Sequence, residues 1–316
     1  MAPRSTTSCG STGARTVASG ARLQPRPEAG SRAPAGEAGP VLHTRSGPLA
    51  LDRVALVGIL NATPDSFSDG GRHLDPARAA DAAAEMVAAG ARALDVGAES
   101  TRPGATAVPG GEERRRLLPV LGAVRAAVRV PISVDTMKAE VARAALGAGA
   151  DVVNDVSAGM ADAAMLPLCA REGVPVVLMH MQGTPATMQA APSYADVVAE
   201  VTAFLAARAG AAVEAGVARD AIVLDPGIGF GKTVAHNLAL LARLDVLVGL
   251  GYPVLVGVSR KGFIGQLLGG RPPADRVLGT AAALALAVAG GARLLRVHDV
   301  AAARDVVAVA EAIARA

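Results

Sequence analysis

Acids, amides and bases recur along the chain, each directly after a short apolar run. They are Asn61, the Glu99-Ser100-Thr101-Arg102 turn, Asp135, Asn154 with Asp155, Met179 with His180, Asp225, Ser259-Arg260-Lys261, and Arg296 with His298. Taken singly, the Asp and Asn residues read equally well as helix N-caps. Eight independent caps would not include Lys261, Arg296 and His298, so the set points to one polar binding site carrying both carboxylates and cations. Lysine usage sharpens this: among 31 basic residues only Lys138, Lys232 and Lys261 are lysine. A generic positive charge here is arginine, and Lys261, directly after a strand, is where a compact ammonium has a use. Lys138, opening a helix, and Lys232, in a glycine turn, read as structural. Arg296 and His298 alternate along one strand and so face the same side, which makes them a candidate anion site.

Two other chemistries are excluded. Gly227-Ile-Gly-Phe-Gly-Lys-Thr233 approaches a phosphate-binding loop, but the motif needs glycine where the chain has Pro226. His180 and His298 have no third His, Cys or Glu at ligand spacing, which argues against zinc.

The elements that must hold these residues alternate. Short β-branched runs at Val54–Leu60, Ala93–Val96, Val130–Val134, Asp151–Asn154, Pro175–Met179, Ala221–Leu224, Pro253–Val258 and Leu294–Val297 predict eight strands. Helix-length segments lie between them, among them Pro76–Ala89, Glu112–Val128, Lys138–Leu146, Ala195–Ala215 and Asn237–Leu250. Nearly continuous apolar strands separated by helices predict a parallel sheet covered by helices, an α/β fold. Eight units in about 265 residues fit a (β/α)8 TIM barrel, with an open doubly wound sheet as the alternative. In a barrel every residue singled out above lies at the C-terminal mouth. Val41–Asp52 precedes the first strand and is expected as a hairpin closing the opposite end.

Residues 1–46 differ from the rest. They carry six arginines and two glutamates, a net of +4 that leaves about −1 for the other 270 residues. The high pI therefore does not imply a nucleic-acid partner. Rich in Arg, Ser, Gly, Ala and Pro and without apolar periodicity, this stretch is expected to be a disordered extension, an early start or a transit peptide, ahead of one domain over 47–316. The absence of Trp, with two Tyr and four Phe, argues against a stacking platform for single-stranded nucleic acid. The longest charge-free apolar stretch, Val277 to Ala292, is 16 residues, short of the roughly 20 that span a membrane. Cys9 and Cys169 provide no disulfide framework, which fits a reducing, cytoplasmic setting.

Eight segments in order resemble the dihydropteroate synthase family. They are Gly58-Ile-Leu-Asn-Ala-Thr-Pro-Asp-Ser-Phe-Ser-Asp-Gly-Gly71, Asp95-Val-Gly-Ala-Glu-Ser-Thr-Arg-Pro-Gly104, Ile132-Ser-Val-Asp-Thr136, Val153-Asn-Asp155, Leu178-Met-His180, Leu224-Asp-Pro-Gly-Ile-Gly-Phe-Gly-Lys232, Ser259-Arg-Lys261 and Arg296-Val-His-Asp299. The resemblance runs from about Val54 to the C-terminus. It implies condensation of 6-hydroxymethyl-7,8-dihydropterin pyrophosphate with 4-aminobenzoate, Mg²⁺ as cofactor, a homodimer and sensitivity to sulfonamides.

The resemblance also implies roles. Asp135, Asn154, Asp225 and Lys261 would meet the pterin edge, with Met179 and Phe230 against its faces. Asn61 would be the Mg²⁺ ligand, and Arg296 and His298 the pyrophosphate donors, so that Lys261, Arg296, His298 and Asp135 carry catalysis. Thr63, Pro64, Asp65, Ser66, Phe67, Thr101, Arg102, Pro103 and Gly262 would handle aminobenzoate and form lids, in loops spanning 63–73 and 100–111. Two residues depart from the family pattern: Ala98 replaces a common glycine, and Gly262 a hydroxyl residue that helps hold the substrate carboxylate. Two other readings share the barrel, a pterin-binding paralogue without activity and a pterin-dependent methyltransferase domain.

Overall fold

The computed structural model describes Met1 and residues 39–62, 75–102 and 104–316. Ten strands occur among them: β1 (Val41–Thr44), β2 (Gly47–Ala50), β3 (Ala55–Asn61), β4 (Ala93–Gly97), β5 (Ile132–Asp135), β6 (Val152–Asp155), β7 (Val176–Met179), β8 (Ile222–Asp225), β9 (Leu255–Val256) and β10 (Leu294–Val297). The last eight form one parallel sheet in the order β8-β7-β6-β5-β4-β3-β10-β9. A parallel bridge from Leu224 to Val254 brings β8 back to β9 and closes the ring. This is the expected (β/α)8 barrel, and the open sheet is ruled out.

Period-two alternation divides each strand between two environments. Outward residues such as Leu94, Val134, Val153, Leu178, Leu224 and Val297 join the large core under the helices. Inward residues at the strand starts, among them Ala55, Val57, Ala93, Val152, Val177, Val223, Leu255 and Leu294, form a second apolar cluster inside the barrel. Further along six of the eight strands the inward position turns polar or small, at Asp95, Asp135, Asn154, Asp225, Gly257 and Arg296, while β3 keeps Ile59 and β7 Met179. The barrel is thus dry at its base and charged at its mouth.

The base is plugged by the antiparallel β1–β2 hairpin. Its Leu42 and Leu49, with Leu51, belong to the inner apolar cluster. Asp151 secures the turn, accepting from Ser46 N at 2.7 Å and Ser46 Oγ at 2.9 Å while pairing with Arg125. This is the hairpin expected over Val41–Asp52, and its first strand, Val41–Thr44, lies ahead of the expected domain boundary at residue 46.

Helices start and stop largely where local chemistry dictates. Asp75 caps the helix Pro76–Ala88, its Oδ1 accepting from Ala77 N at 2.9 Å, with Pro76 in the first turn. The helix expected over Asn237–Leu250 begins earlier, at Val234, because Thr233 and His236 form a reciprocal cap. It also breaks at Arg243 into Val234–Ala242 and Leu244–Val248. The strand expected over Pro253–Val258 contracts to two residues. Beyond it, Val258-Ser259-Arg260 turns sharply, with Arg260 at φ 58°.

Candidate active site

The inward residues at the strand ends line a cavity at the mouth of the barrel. Asp135, Asn154, Met179, Asp225, Phe230, Lys261 and Arg296 all contribute to its wall, with Thr101 at the edge and Gly257 leaving space beside Arg296. Seven side chains singled out as one site from sequence are thus brought together from six strands and the loops that follow them.

Its floor is a charge network that sequence reading did not foresee. Arg296 Nε donates to Asp95 Oδ2 at 2.5 Å and Nη2 to Asp135 Oδ2 at 3.0 Å. Asn154 Nδ2 donates to the same Asp95 oxygen at 3.2 Å, and Ser133 Oγ bonds Asp95 Oδ1. Asp95 is 1% exposed; its signal in the sequence was a carboxylate inside an otherwise apolar strand. Fixed from below by Asp95, Asn154 keeps its amide oxygen free of any hydrogen bond within the described residues.

Above this floor two carboxylates keep free oxygens. Asp135 Oδ1 is buried with no hydrogen-bond partner among the described residues. Burial pushes Asp135 up to about 7 even though Arg296 pulls the other way. Asp225 gives Oδ1 to Gly227 N at 2.7 Å, and burial pushes it up to about 6. Lys261 is lowered to about 8 by burial and by Arg296, so it remains largely cationic at neutral pH. A buried acceptor without a donor, as at Asp135 Oδ1, destabilises the site by roughly 1–3 kcal/mol, a cost that a ligand presenting an N–H group would remove.

The apolar wall includes Val156, Met179 and Phe230, packed in one cluster with Met188. Lys261 Nζ lies 4.0 Å from the centroid of Phe230. Phe230 is aimed by its turn, where Gly227 has φ +65° and a Cβ would meet the His180 carbonyl oxygen at 1.9 Å. Lys232, 3% exposed, ties the same turn down by donating to Phe230 O at 2.9 Å and His180 Nδ1 at 2.9 Å. This matches the structural role expected of it. Burial and Lys232 lower His180 to about 3, so its neutral Nδ1 is an acceptor. Among the described residues no cluster of His, Cys, Asp or Glu could hold a metal.

At the rim the expected anion pair separates. Arg296 is committed to the floor through Nε and Nη2, whereas His298 lies outside the cavity wall beside Ser259. Ser259 Oγ accepts from His298 N at 3.2 Å and sits 3.0 Å from His298 Nδ1. The hydroxyl can donate its proton to Nδ1, the arrangement that leaves Nε2–H as a donor. Burial and Arg296 lower His298 to about 4, so it acts as a neutral donor. Arg260, held in its left-handed conformation by bonds to Asp299, presents Ser259 and Lys261 on either side.

Asn61 ends β3 at the rim, half-buried, in the strand adjacent to β10. Arg102 is exposed and does not line the cavity. Ala98 is fully buried in the outer core, so its methyl group is accommodated where glycine is common. At Gly262 a Cβ would meet nothing within 4 Å, which leaves open space beside Lys261. Thr63, Pro64, Asp65, Ser66, Phe67 and Pro103 lie outside the described residues.

A family model described as pterin binding enzyme matches residues 57–298. The dihydropteroate synthase of Synechocystis sp. is 47% identical over 263 residues, covering 83% of this chain and 91% of that protein. A Xanthomonas albilineans dihydropteroate synthase solved with 4-aminobenzoic acid superposes with a TM-score of 0.82 at 50% identity, covering 87% and 98% of the two chains. The Thermus thermophilus dihydropteroate synthase in complex with 6HMPPP gives 0.75 at 53% identity, covering 86% and 99%.

Proposed function

The chain belongs to the pterin binding enzyme family, among its dihydropteroate synthases, and from this we infer how its barrel mouth joins 6-hydroxymethyl-7,8-dihydropterin pyrophosphate to 4-aminobenzoate. The products are 7,8-dihydropteroate and pyrophosphate. The observation that carries the reading is the buried, unpartnered Oδ1 of Asp135, set with the Asp225 carboxylate opposite the Phe230–Lys261 wall. Relatives across most of the chain are synthases, which favours neither an inactive paralogue nor a methyltransferase.

The amino-pyrimidine edge of a pterin is a row of donors and acceptors. Asp135 Oδ1 and Asp225 Oδ2 accept from its N–H groups, each charged bond worth roughly 1.5–3 kcal/mol. Asn154 supplies its amide oxygen, and Lys261 donates to the ring acceptors on the other side. Met179 and Phe230 pack the faces and exclude water. So held, the pterin directs its CH2–O bond to the rim, where His298 Nε2–H and the spare N–H groups of Arg296 face the departing pyrophosphate. No strong base is required: the arylamine nitrogen attacks the CH2 carbon as the C–O bond breaks, then loses its proton. Catalysis is positioning plus stabilisation of the leaving group.

Mg²⁺ fits this rim. The Asn61 amide oxygen is a hard ligand that accepts no hydrogen bond among the described residues, and Mg²⁺ takes its other ligands from phosphate and water. When bound, it neutralises charge building on the pyrophosphate. Thr101, Arg102 and the space at Gly262 receive 4-aminobenzoate, with Arg102 or the backbone N–H groups after Lys261 meeting its carboxylate. Sulfonamides, which imitate that substrate, are expected to compete there.

The working form is proposed to be a cytoplasmic homodimer without nucleic-acid or membrane partners. Leu278 and Leu286, 79% and 64% exposed, lie eight residues apart on one face of the helix Val277–Ala289, an apolar stripe suited to a second copy. No helix among the described residues is long and apolar enough to cross a membrane. The test of function is direct: purified protein should release pyrophosphate and form dihydropteroate only with both substrates and Mg²⁺ present. Release without aminobenzoate would overturn the reading.

A further inference from the structure

One cluster of buried charge lies outside the cavity wall. Lys138, just after β5, donates from Nζ to Glu99 Oε2 at 2.5 Å and to Glu113 Oε2 at 2.7 Å. The Glu113 side chain is fully buried and that of Glu99 is 6% exposed. Glu99 has a second attachment: its Oε1 accepts from Val108 N at 2.8 Å. One carboxylate thus joins both ends of the segment 99–108 to a lysine rooted in the barrel. Thr101, at the cavity edge, and Arg102 lie inside that segment.

We propose that the Glu113–Lys138–Glu99 chain is a positioning device for the second substrate, fixing where Thr101 and Arg102 meet 4-aminobenzoate. It rests on the functional reading above and deepens it. Glu113 Oε1 is buried without a hydrogen-bond partner among the described residues, so the residue costs more than an apolar side chain of its size. That cost has a return if the buried charge is needed to root the ammonium. The choice of lysine agrees: 28 of the 31 basic residues are arginine, yet here a tetrahedral ammonium meets two carboxylates from different elements, where a planar fork would favour one. Because Lys138 does not line the cavity, it acts through Glu99.

The test is steady-state kinetics on the full chain. Lys138→Met should raise KM for 4-aminobenzoate about tenfold, equivalent to about 1.4 kcal/mol, while KM for the pterin pyrophosphate moves less than about twofold. Glu99→Gln keeps the Val108 bond, loses the ionic anchor and tests the same link if Lys138→Met does not fold. It should show the same selective rise, and the double variant should be no worse than the worse single one, as expected for two residues acting as one unit. Equal rises in both KM values, an unchanged KM for aminobenzoate, or additive losses in the double variant would overturn the proposal. Failure of the wild-type protein to form dihydropteroate would instead overturn the functional reading beneath it.

Discussion

Asp225 divides its carboxylate between the protein and the ligand. Oδ1 holds Gly227 N at 2.7 Å, leaving Oδ2 for the pterin. Asp225→Asn can keep the first bond but then turns an NH2 group toward ring N–H donors. Pterin affinity should fall by about two orders of magnitude, as for a charged hydrogen bond replaced by a donor clash, with circular dichroism unchanged; calorimetric titration with a pterin analogue reads it. Arg296 offers a contrast. Sequence alone assigned it to the leaving group, whereas the guanidinium neutralises Asp95 and Asp135. Arg296→Ala should therefore weaken bare 6-hydroxymethylpterin through the disturbed floor and its pyrophosphate further still, and lower stability by about 3–5 kcal/mol through the uncompensated carboxylates. Selective loss of pyrophosphate affinity in a folded variant would return the residue to the leaving group alone. The titrations of these groups predict the pH profile. Asp135 and Asp225, raised to about 7 and about 6, make charged bonds to N–H groups only when ionised, and Lys261 donates while protonated, below about 8. kcat/KM for the pterin pyrophosphate should rise from about pH 5 to about 7 and fall above about 8. Folding stability runs the other way on the acid side. The raised carboxyls bind protons more tightly folded than unfolded, so their contribution is complete below about 4 and is lost as pH rises to about 7.

The turn after β8 shows what an element adds to its residues. Asp225, Gly227, Phe230 and Lys232 lie within eight positions, and the backbone bends so that one carboxylate and one ring enter the cavity while the lysine folds back beneath them. Gly227→Ala puts a methyl group against the His180 carbonyl oxygen, 1.9 Å from an ideal Cβ, at a positive φ. The turn must move. Stability should drop by more than about 1 kcal/mol, and pterin affinity should fall with it although no substrate contact has been removed. Thermal unfolding and titration on the same sample would check this, and wild-type affinity in the variant would show that the turn does not aim Asp225. The sequence made this segment legible as a glycine turn and named the ligands. It did not show which glycine is obligatory, because that depends on a carbonyl some 47 residues upstream in the loop after β7.

At the scale of the molecule, the barrel separates stability from function along its axis. The hairpin and the inner apolar cluster close the base, and nearly all the ionisable groups of interest stand at the mouth. The exposed face of Val277–Ala289 lies outside that axis, so changing it should spare the site. Leu286→Glu should leave the monomer folded and shift sedimentation toward a single copy, since a charge at the centre of an apolar contact opposes association. A dimer undiminished by the change would place the interface elsewhere. The same separation explains why fold and ligand set were both readable. Strand starts are apolar on both faces, most strand ends are polar on one, and the change from one to the other is written in those short runs.

The sequence by itself determined the eight strands, their parallel arrangement, the mouth residues Asp135, Asn154, Asp225, Phe230 and Lys261, and the family. Period-two alternation and the residues after each run are local properties, so a linear reading reaches them. Only the tertiary structure decided the pairings. Arg296 meets Asp95 across 201 positions and Asp135 across 161, Lys138 meets Glu99 across 39, and Leu42 finds the barrel interior. Alternation says which face a side chain takes. Which charge it meets there depends on ring closure, and closure brings together residues that no spacing along the chain relates.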